Sequence, residues 1–214
     1  MTGKFITFEG GEGAGKSTQV RRLAARLAAA GKVVSVTREP GGTPMAETLR
    51  GVLLSGAIAT LGAEAEAILF AAARADHVDK LIRPALERDE WVISDRFTDS
   101  TRVYQGAGDG VAPELLDTLD RIAVGRTRPD LTIILDVPAE IGLARLAGRL
   151  ASNGGQPDRF EADTLALHER RRQAYLDIAA REPERCVVID ATAEEDEVAV
   201  RVWRSVSRRL LGKA

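Results

Sequence analysis

Residues 10–17 read Gly10-Gly11-Glu12-Gly13-Ala14-Gly15-Lys16-Ser17, the pattern G-x-x-x-x-G-K-[ST]. The pattern has physical content only between a strand and a helix, and both are legible. Before it, Phe5-Ile6-Thr7-Phe8 is a short, largely apolar run with β-branched residues. After it, Val20, Leu23 and Leu27 recur on one helical face, Arg21, Arg22 and Arg26 lie off that line, and Gly31 ends the run. In this setting the glycines let successive backbone N–H groups turn toward one point as an anion nest. The helix beginning near Lys16 adds the positive end of its dipole. Lys16 can reach the β- and γ-phosphates of a nucleotide, and the Ser17 hydroxyl can ligate Mg²⁺. A nucleoside triphosphate is the ligand that such a loop takes.

Four further apolar runs follow: Val33-Val34-Ser35-Val36, Trp91-Val92-Ile93, Leu131-Thr132-Ile133-Ile134-Leu135, and Cys186 to Ile189. Their continuous apolar character predicts strands buried on both faces, as in a parallel sheet. Helical patterns separate them, and the last repeats Val198, Val202, Val206 and Leu210 as one stripe. The alternation predicts a doubly wound α/β chain with a five-stranded parallel sheet flanked by helices on both faces, which with the loop of residues 10–17 makes the P-loop NTPase fold. No internal repeat or linker divides it, so residues 1–214 are expected to form a single domain. Ala151-Ser152-Asn153-Gly154-Gly155-Gln156-Pro157 reads as a mobile loop between two helices, within a lid segment of approximately 145–160. The strands end in Glu9, Arg38, Ser94-Asp95, Asp136 and Asp190. Open α/β sheets bind ligands at the carboxyl ends of their strands, so these ends form one expected neighbourhood.

Composition narrows the class. Lys+Arg 30 against Asp+Glu 32 gives a net charge of −2, with no global basic field to draw the chain to nucleic acid. The single cysteine, Cys186, excludes an internal disulfide and a cysteine-based zinc cluster. No stretch approaches the roughly 20 apolar residues of a membrane helix. A cytoplasmic setting without a membrane partner is expected. Guanine-reading GTPases usually carry Asn-Lys-x-Asp, whereas the only asparagine here is Asn153, so ATP is favoured over GTP. Gly11 occupies the place where a partition-type ATPase has a second lysine.

Three more segments carry chemistry: Thr37-Arg38-Glu39-Pro40-Gly41-Gly42-Thr43, then Asp95-Arg96-Phe97-Thr98-Asp99-Ser100-Thr101 followed by Tyr104-Gln105-Gly106, and the arginine-flanked stretch from Arg145 and Arg149 to Asp158-Arg159-Phe160-Glu161. With the loop from Gly10 to Thr18, they resemble the signatures of the thymidylate kinase family, in its bacterial form with an arginine-bearing lid. The resemblance runs from Phe5 to Ile189-Asp190-Ala191-Thr192. It implies phosphoryl transfer from ATP to dTMP with Mg²⁺, giving dTDP for dTTP synthesis, and a homodimer paired through helices beside the nucleoside pocket. It places Glu12 opposite the 3′-hydroxyl of the acceptor and near Mg²⁺, and Arg96 and Arg38 on the acceptor phosphate. It sets Asp95 on Mg²⁺ through water or on Arg96, and puts Phe70 against thymine with Arg74 on a thymine carbonyl. Ser100, Thr101, Tyr104 and Gln105 complete the pocket. Glu39-Pro40 is a candidate cis peptide, and adenine is expected near Ala191-Thr192-Ala193.

Some family members carry an arginine in the loop after the acidic position. Gly13 stands there, so the cation for the spreading charge of the transition state is expected from Arg145, Arg149 or Arg159, with Arg149 as the leading choice. Each residue also has an ordinary structural alternative. Phe70 taken alone is more often core, Asp95-Arg96 can be a structural ion pair, and the lid arginines can be a solvated helix face. His77 and His168 have no metal-ligand company and read as surface or packing residues. Two other functions compete: a kinase for another monophosphate or small metabolite, and a nucleotide-dependent switch that hydrolyses ATP slowly.

Overall fold

The computed structural model describes residues 3–108 and 110–212, so both ends of the 1–214 unit lie outside the described residues. Every expected apolar run is a strand: β1 Phe5–Glu9, β2 Val34–Arg38, β3 Trp91–Asp95, β4 Leu131–Asp136 and β5 Cys186–Asp190. All pairings are parallel, in the order β2-β3-β1-β4-β5. The helices are α1 Lys16–Ala29, α2 Pro44–Leu54, α3 Ala63–His77, α4 Arg83–Glu87, α5 Thr98–Thr101, α6 Pro113–Val124, α7 Ala139–Asn153, α8 Leu165–Arg181 and α9 Glu195–Leu210.

Alternation along the strands builds two cores. Ile6, Phe8, Ile93, Leu131 and Ile133 pack on Val20, Leu23 and Leu27 of α1 and on Val198, Val202 and Val206 of α9. Phe5, Val92 and Phe97 pack on Ala71 of α3, Ala85 of α4, and Ala123 and Val124 of α6, while Ile134 meets Tyr175 and Ile178 of α8. Helices therefore cover both faces. Burial on both faces holds for β1, β3 and β4 but lapses at the sheet edges, where Val36 of β2 is 50% exposed and Val188 of β5 41%. An edge strand has a neighbour on one side only, so its cover is thinner.

One boundary differs from expectation. α7 continues through Ala151, Ser152 and Asn153, and the loop starts at Gly154, whose φ of 63° supplies the left-handed cap that ends the helix. α3 stops at His77 and passes into a π-helical turn, Val78–Ile82. Pro84 has no N–H for the carbonyl four residues back, so the α ladder cannot run through it unchanged.

Register assembles the site. Arg38 pairs with Asp95, Phe8 with Asp95, and Asp136 with Asp190, which brings the carboxyl ends of the strands to one rim of the sheet.

Candidate active site

The loop after β1 is shaped by left-handed glycines, Gly10 at φ 135°, Gly13 at 68° and Gly15 at 87°. A Cβ on Gly13 would stand 1.9 Å from the Gly142 carbonyl oxygen of α7, and one on Gly142 would stand 2.3 Å from the Glu12 carbonyl oxygen. Loop and helix thus touch backbone to backbone, which leaves no room for a side chain at position 13. No side chain caps the start of α1, so its first amides point into the loop without a competing acceptor. Lys16 is buried, and its Nζ donates to the carbonyls of Gly10 (3.1 Å) and Gly11 (2.8 Å). Burial, then the Arg96 charge, lowers its pKa. Beside it, Ser17 Oγ donates to Asp95 Oδ2 at 2.5 Å.

Arg96, in the turn after β3, holds a left-handed φ of 70° although it is not glycine. Its amide donates to the Phe8 carbonyl (2.9 Å), and the next amide, Phe97 N–H, donates to Glu9 (2.8 Å), which pins the turn. The guanidinium aims back at the loop. Nη2 donates to Glu12 Oε1 (2.5 Å) and the Tyr104 hydroxyl (3.0 Å), and Nη1 to Ser100 Oγ and the Tyr175 hydroxyl (3.2 Å each). Burial opposes ionisation of Glu12, but the Arg96 and Lys16 charges prevail and hold its carboxyl down at about 2. Glu9 behaves oppositely. It is fully buried, accepts from Ser100 Oγ (2.6 Å) and the Tyr175 hydroxyl (3.2 Å), and burial with the nearby Asp99 charge pushes it up to about 7.

Phe70 and Arg74 share the face of α3 that closes the far end of the site. The Phe70 ring lies 6.3 Å from that of Phe160, centroid to centroid, and Phe160 meets Tyr104 edge-on at 5.5 Å. Arg74 is buried and tied to Glu39, the Phe97 carbonyl and Thr101. Arg38 is exposed and paired with Glu47 at 3.1 Å. The Glu39-Pro40 peptide is cis. Glu12, Gly13, Ala14, Gly15, Lys16, Ser17, Thr18, Arg38, Phe70, Arg74, Asp95, Arg96, Ser100, Thr101, Tyr104, Gln105 and Arg149 all line one cavity of about 910 Å³. Ala191 and Ala193 border it too. Gly10 and Gly11 are not part of that lining; their carbonyls accept from Lys16. That volume is what a nucleotide-sized ligand needs.

A family model described as thymidylate kinase matches residues 8–202. The thymidylate kinase of Nitrobacter winogradskyi is 58% identical over 98% of this chain and 90% of its own length. That of Rhodopseudomonas palustris is 57% identical over 100% and 93%. The crystal structure of thymidylate kinase from Ehrlichia chaffeensis superimposes with a TM-score of 0.76 at 33% identity, covering 96% of this chain and 99% of that one. The chain belongs to the thymidylate kinase family. Its sheet and loop are accordingly the P-loop NTPase fold.

Against that family assignment, the three lid arginines separate. Arg145 donates to the carbonyls of Ala191 (2.8 Å) and Thr192 (3.0 Å), fixing the turn after β5. Arg159 stacks on Phe160 and ion-pairs with Glu66 of α3. Arg149 reaches the cavity wall, paired with Glu161 at 2.9 Å and more than half exposed. Glu66 and Tyr175 escaped the sequence reading, as did the contact of Glu39 with His77, whose Nδ1 lies 3.0 Å from Glu39 Oε1. Glu9 was visible only as a strand end. One signal was available, since the chain has just two tyrosines and both, Tyr104 and Tyr175, touch Arg96. His77 and His168 are both buried packing residues.

Proposed function

We propose that this chain transfers the γ-phosphoryl group of ATP to dTMP, giving ADP and dTDP, with residues 1–214 acting as one kinase domain. One observation carries the reading: a single cavity joins an amide-rich loop with Lys16 to a second cradle built on Arg96, Arg74 and Phe70. Phosphoryl transfer asks the protein for in-line positioning and for cations around the spreading charge. The α1 amides and Lys16 hold the β- and γ-phosphates. Arg96 presents a rigid fork to the acceptor phosphate, with Arg38 at the cavity mouth. Glu12, ionised throughout the neutral range, accepts from a sugar hydroxyl and keeps Arg96 aimed. Arg149, released from Glu161, supplies the lid cation. No general base is required, because the acceptor oxygen is already ionised near neutral pH.

The Ser17 hydroxyl and the Asp95 carboxylate, 2.5 Å apart on the cavity wall, form a hard-oxygen pair that suits Mg²⁺. Among the described residues no group of three or more His, Cys, Asp or Glu could hold a metal by itself. Phosphate oxygens and water would complete the shell, and the ion would neutralise charge on the β- and γ-oxygens.

A homodimer belongs to the same proposal. Exposed Ile68 on α3 and Ile122 on α6, two helices packed together, support it. Among the described residues no helix is long and apolar enough to cross a membrane. The lone buried Cys186 fits a reducing, cytoplasmic setting. A coupled ADP-release assay across dTMP, dUMP, AMP, CMP, GMP and shikimate tests the activity. Turnover strongest with dTMP is expected, and ADP release indifferent to every acceptor would defeat the reading.

A further inference from the structure

Two of the polar side chains that line the cavity, Arg74 and Gln105, are each held by a buried carboxylate. Arg74 Nε donates to Glu39 Oε2 at 2.7 Å, and its Nη2 serves the Phe97 carbonyl and Thr101 Oγ1. Among the described residues no hydrogen bond engages Nη1, the nitrogen left for a ligand. Gln105 Nε2 donates to Glu66 Oε1 at 2.7 Å. An ionised carboxylate accepts and cannot donate, so the amide atom facing Glu66 is the nitrogen. That contact removes the usual ambiguity of a glutamine amide and leaves Oε1 as the atom available to the cavity. The other Glu66 oxygen is taken by Arg159, the carboxylate is 1% exposed, and among the described residues nothing else competes for it.

The site therefore sets a fixed acceptor, Gln105 Oε1, beside a fixed donor, Arg74 Nη1. The complement of that pair is an imide edge, a ring N3–H next to a C4 carbonyl. A cytosine edge has the reverse polarity, with an N3 acceptor next to a 4-amino donor. We infer that Glu66 is a positioning residue for base selection: by holding the Gln105 amide nitrogen it presents the carbonyl oxygen to the base, favouring thymine or uracil over cytosine. The inference rests on the dTMP reading above and adds the element that fixes its polarity.

The test compares kcat/KM for dTMP and dCMP in the wild type and in Glu66→Gln. The neutral amide of the variant can donate or accept, so Gln105 can turn over. The dTMP/dCMP ratio is expected to fall tenfold or more, through the KM of the monophosphate, with the KM for ATP unchanged; tenfold corresponds to about 1.4 kcal/mol. A purely structural role would lower both substrates in parallel. Arg159→Gln separates the two partners of Glu66, because it removes the ion pair and leaves the acceptor, and it is expected to keep the ratio. Should Glu66→Gln not fold, the double variant Glu66→Leu with Arg159→Leu removes both charges together and leaves neither buried alone. It too must lose selectivity. A ratio that falls less than tenfold in the folded variant overturns the inference. Failure of the wild type to phosphorylate either monophosphate would instead strike the functional reading itself.

Discussion

The backbone contact between the phosphate loop and α7 allows a graded prediction from four glycines. At Gly11 an added Cβ meets nothing within 4 Å, and φ lies outside the left-handed region. Gly11→Ala should be neutral or stabilising by about 0.4–1 kcal/mol, through lost freedom in the unfolded chain. At Gly15 the space is equally open but φ is 87°, so Gly15→Ala carries only the left-handed penalty of about 1–2 kcal/mol. Gly13 combines a φ of 68° with a Cβ 1.9 Å from the Gly142 oxygen, an atom of a helix backbone that cannot swing away. The left-handed cost of about 1–2 kcal/mol and an overpacking cost of about 1–3 kcal/mol place Gly13→Ala about 2–5 kcal/mol below the wild type. Gly142→Ala isolates the contact, because it has the clash without the left-handed φ; its overpacking cost is offset by about 1 kcal/mol of helix propensity. Urea unfolding with a shared slope reads the series directly. The expected order of stability is Gly11→Ala, then Gly15→Ala, then Gly13→Ala. If Gly13→Ala were as stable as Gly15→Ala, the close approach of loop and helix would be wrong.

Other expectations follow from the charges around the cavity. Arg149→Ala should lower kcat by roughly 10²-fold or more with little change in the KM for dTMP, and near-wild-type turnover would remove Arg149 from the lid role. Lys16→Ala should abolish transfer while the circular dichroism spectrum stays native; retained activity would defeat the phosphate-loop assignment. Glu9 makes stability depend on pH. Its folded pKa of about 7 lies above the ordinary 4.5, so the native protein keeps a proton that the unfolded chain has lost. That contribution is fully present below 4.5 and is lost as pH rises through 7, a fall of about 3 kcal/mol at 1.36 kcal/mol per unit. Glu9→Gln should flatten this slope in unfolding measured at pH 5 and pH 8; parallel profiles for the two proteins would refute it.

The sheet was legible because each strand is a short apolar run bounded by polar ends, and parallel pairing needs no further information than that pattern. The phosphate loop was legible for a related reason, since its glycines answer a local backbone demand. What stayed hidden was pairing between distant charges. Glu66 sits on α3, Gln105 after α5 and Arg159 beyond α7, and no periodicity announces that they meet. Glu39 lay inside a segment already singled out, yet its burial against Arg74 and His77 depends on where α3 packs on β2. Position 13 shows the same division. Its glycine was read as a missing arginine, and the structure adds the cause, a helix backbone standing where a side chain would begin. The end of α7 was placed too early because Ser152 and Asn153 are loop-prone in isolation, whereas the ladder runs on until Gly154 caps it.

The central claim is that one cavity passes a phosphoryl group between two nucleotides instead of releasing it to water. Incubation of the purified chain with Mg²⁺, dTMP and ATP labelled in its γ-phosphate decides this directly. The label should appear in dTDP, one for each ADP formed; label recovered as inorganic phosphate, whether or not dTMP is present, would contradict the account.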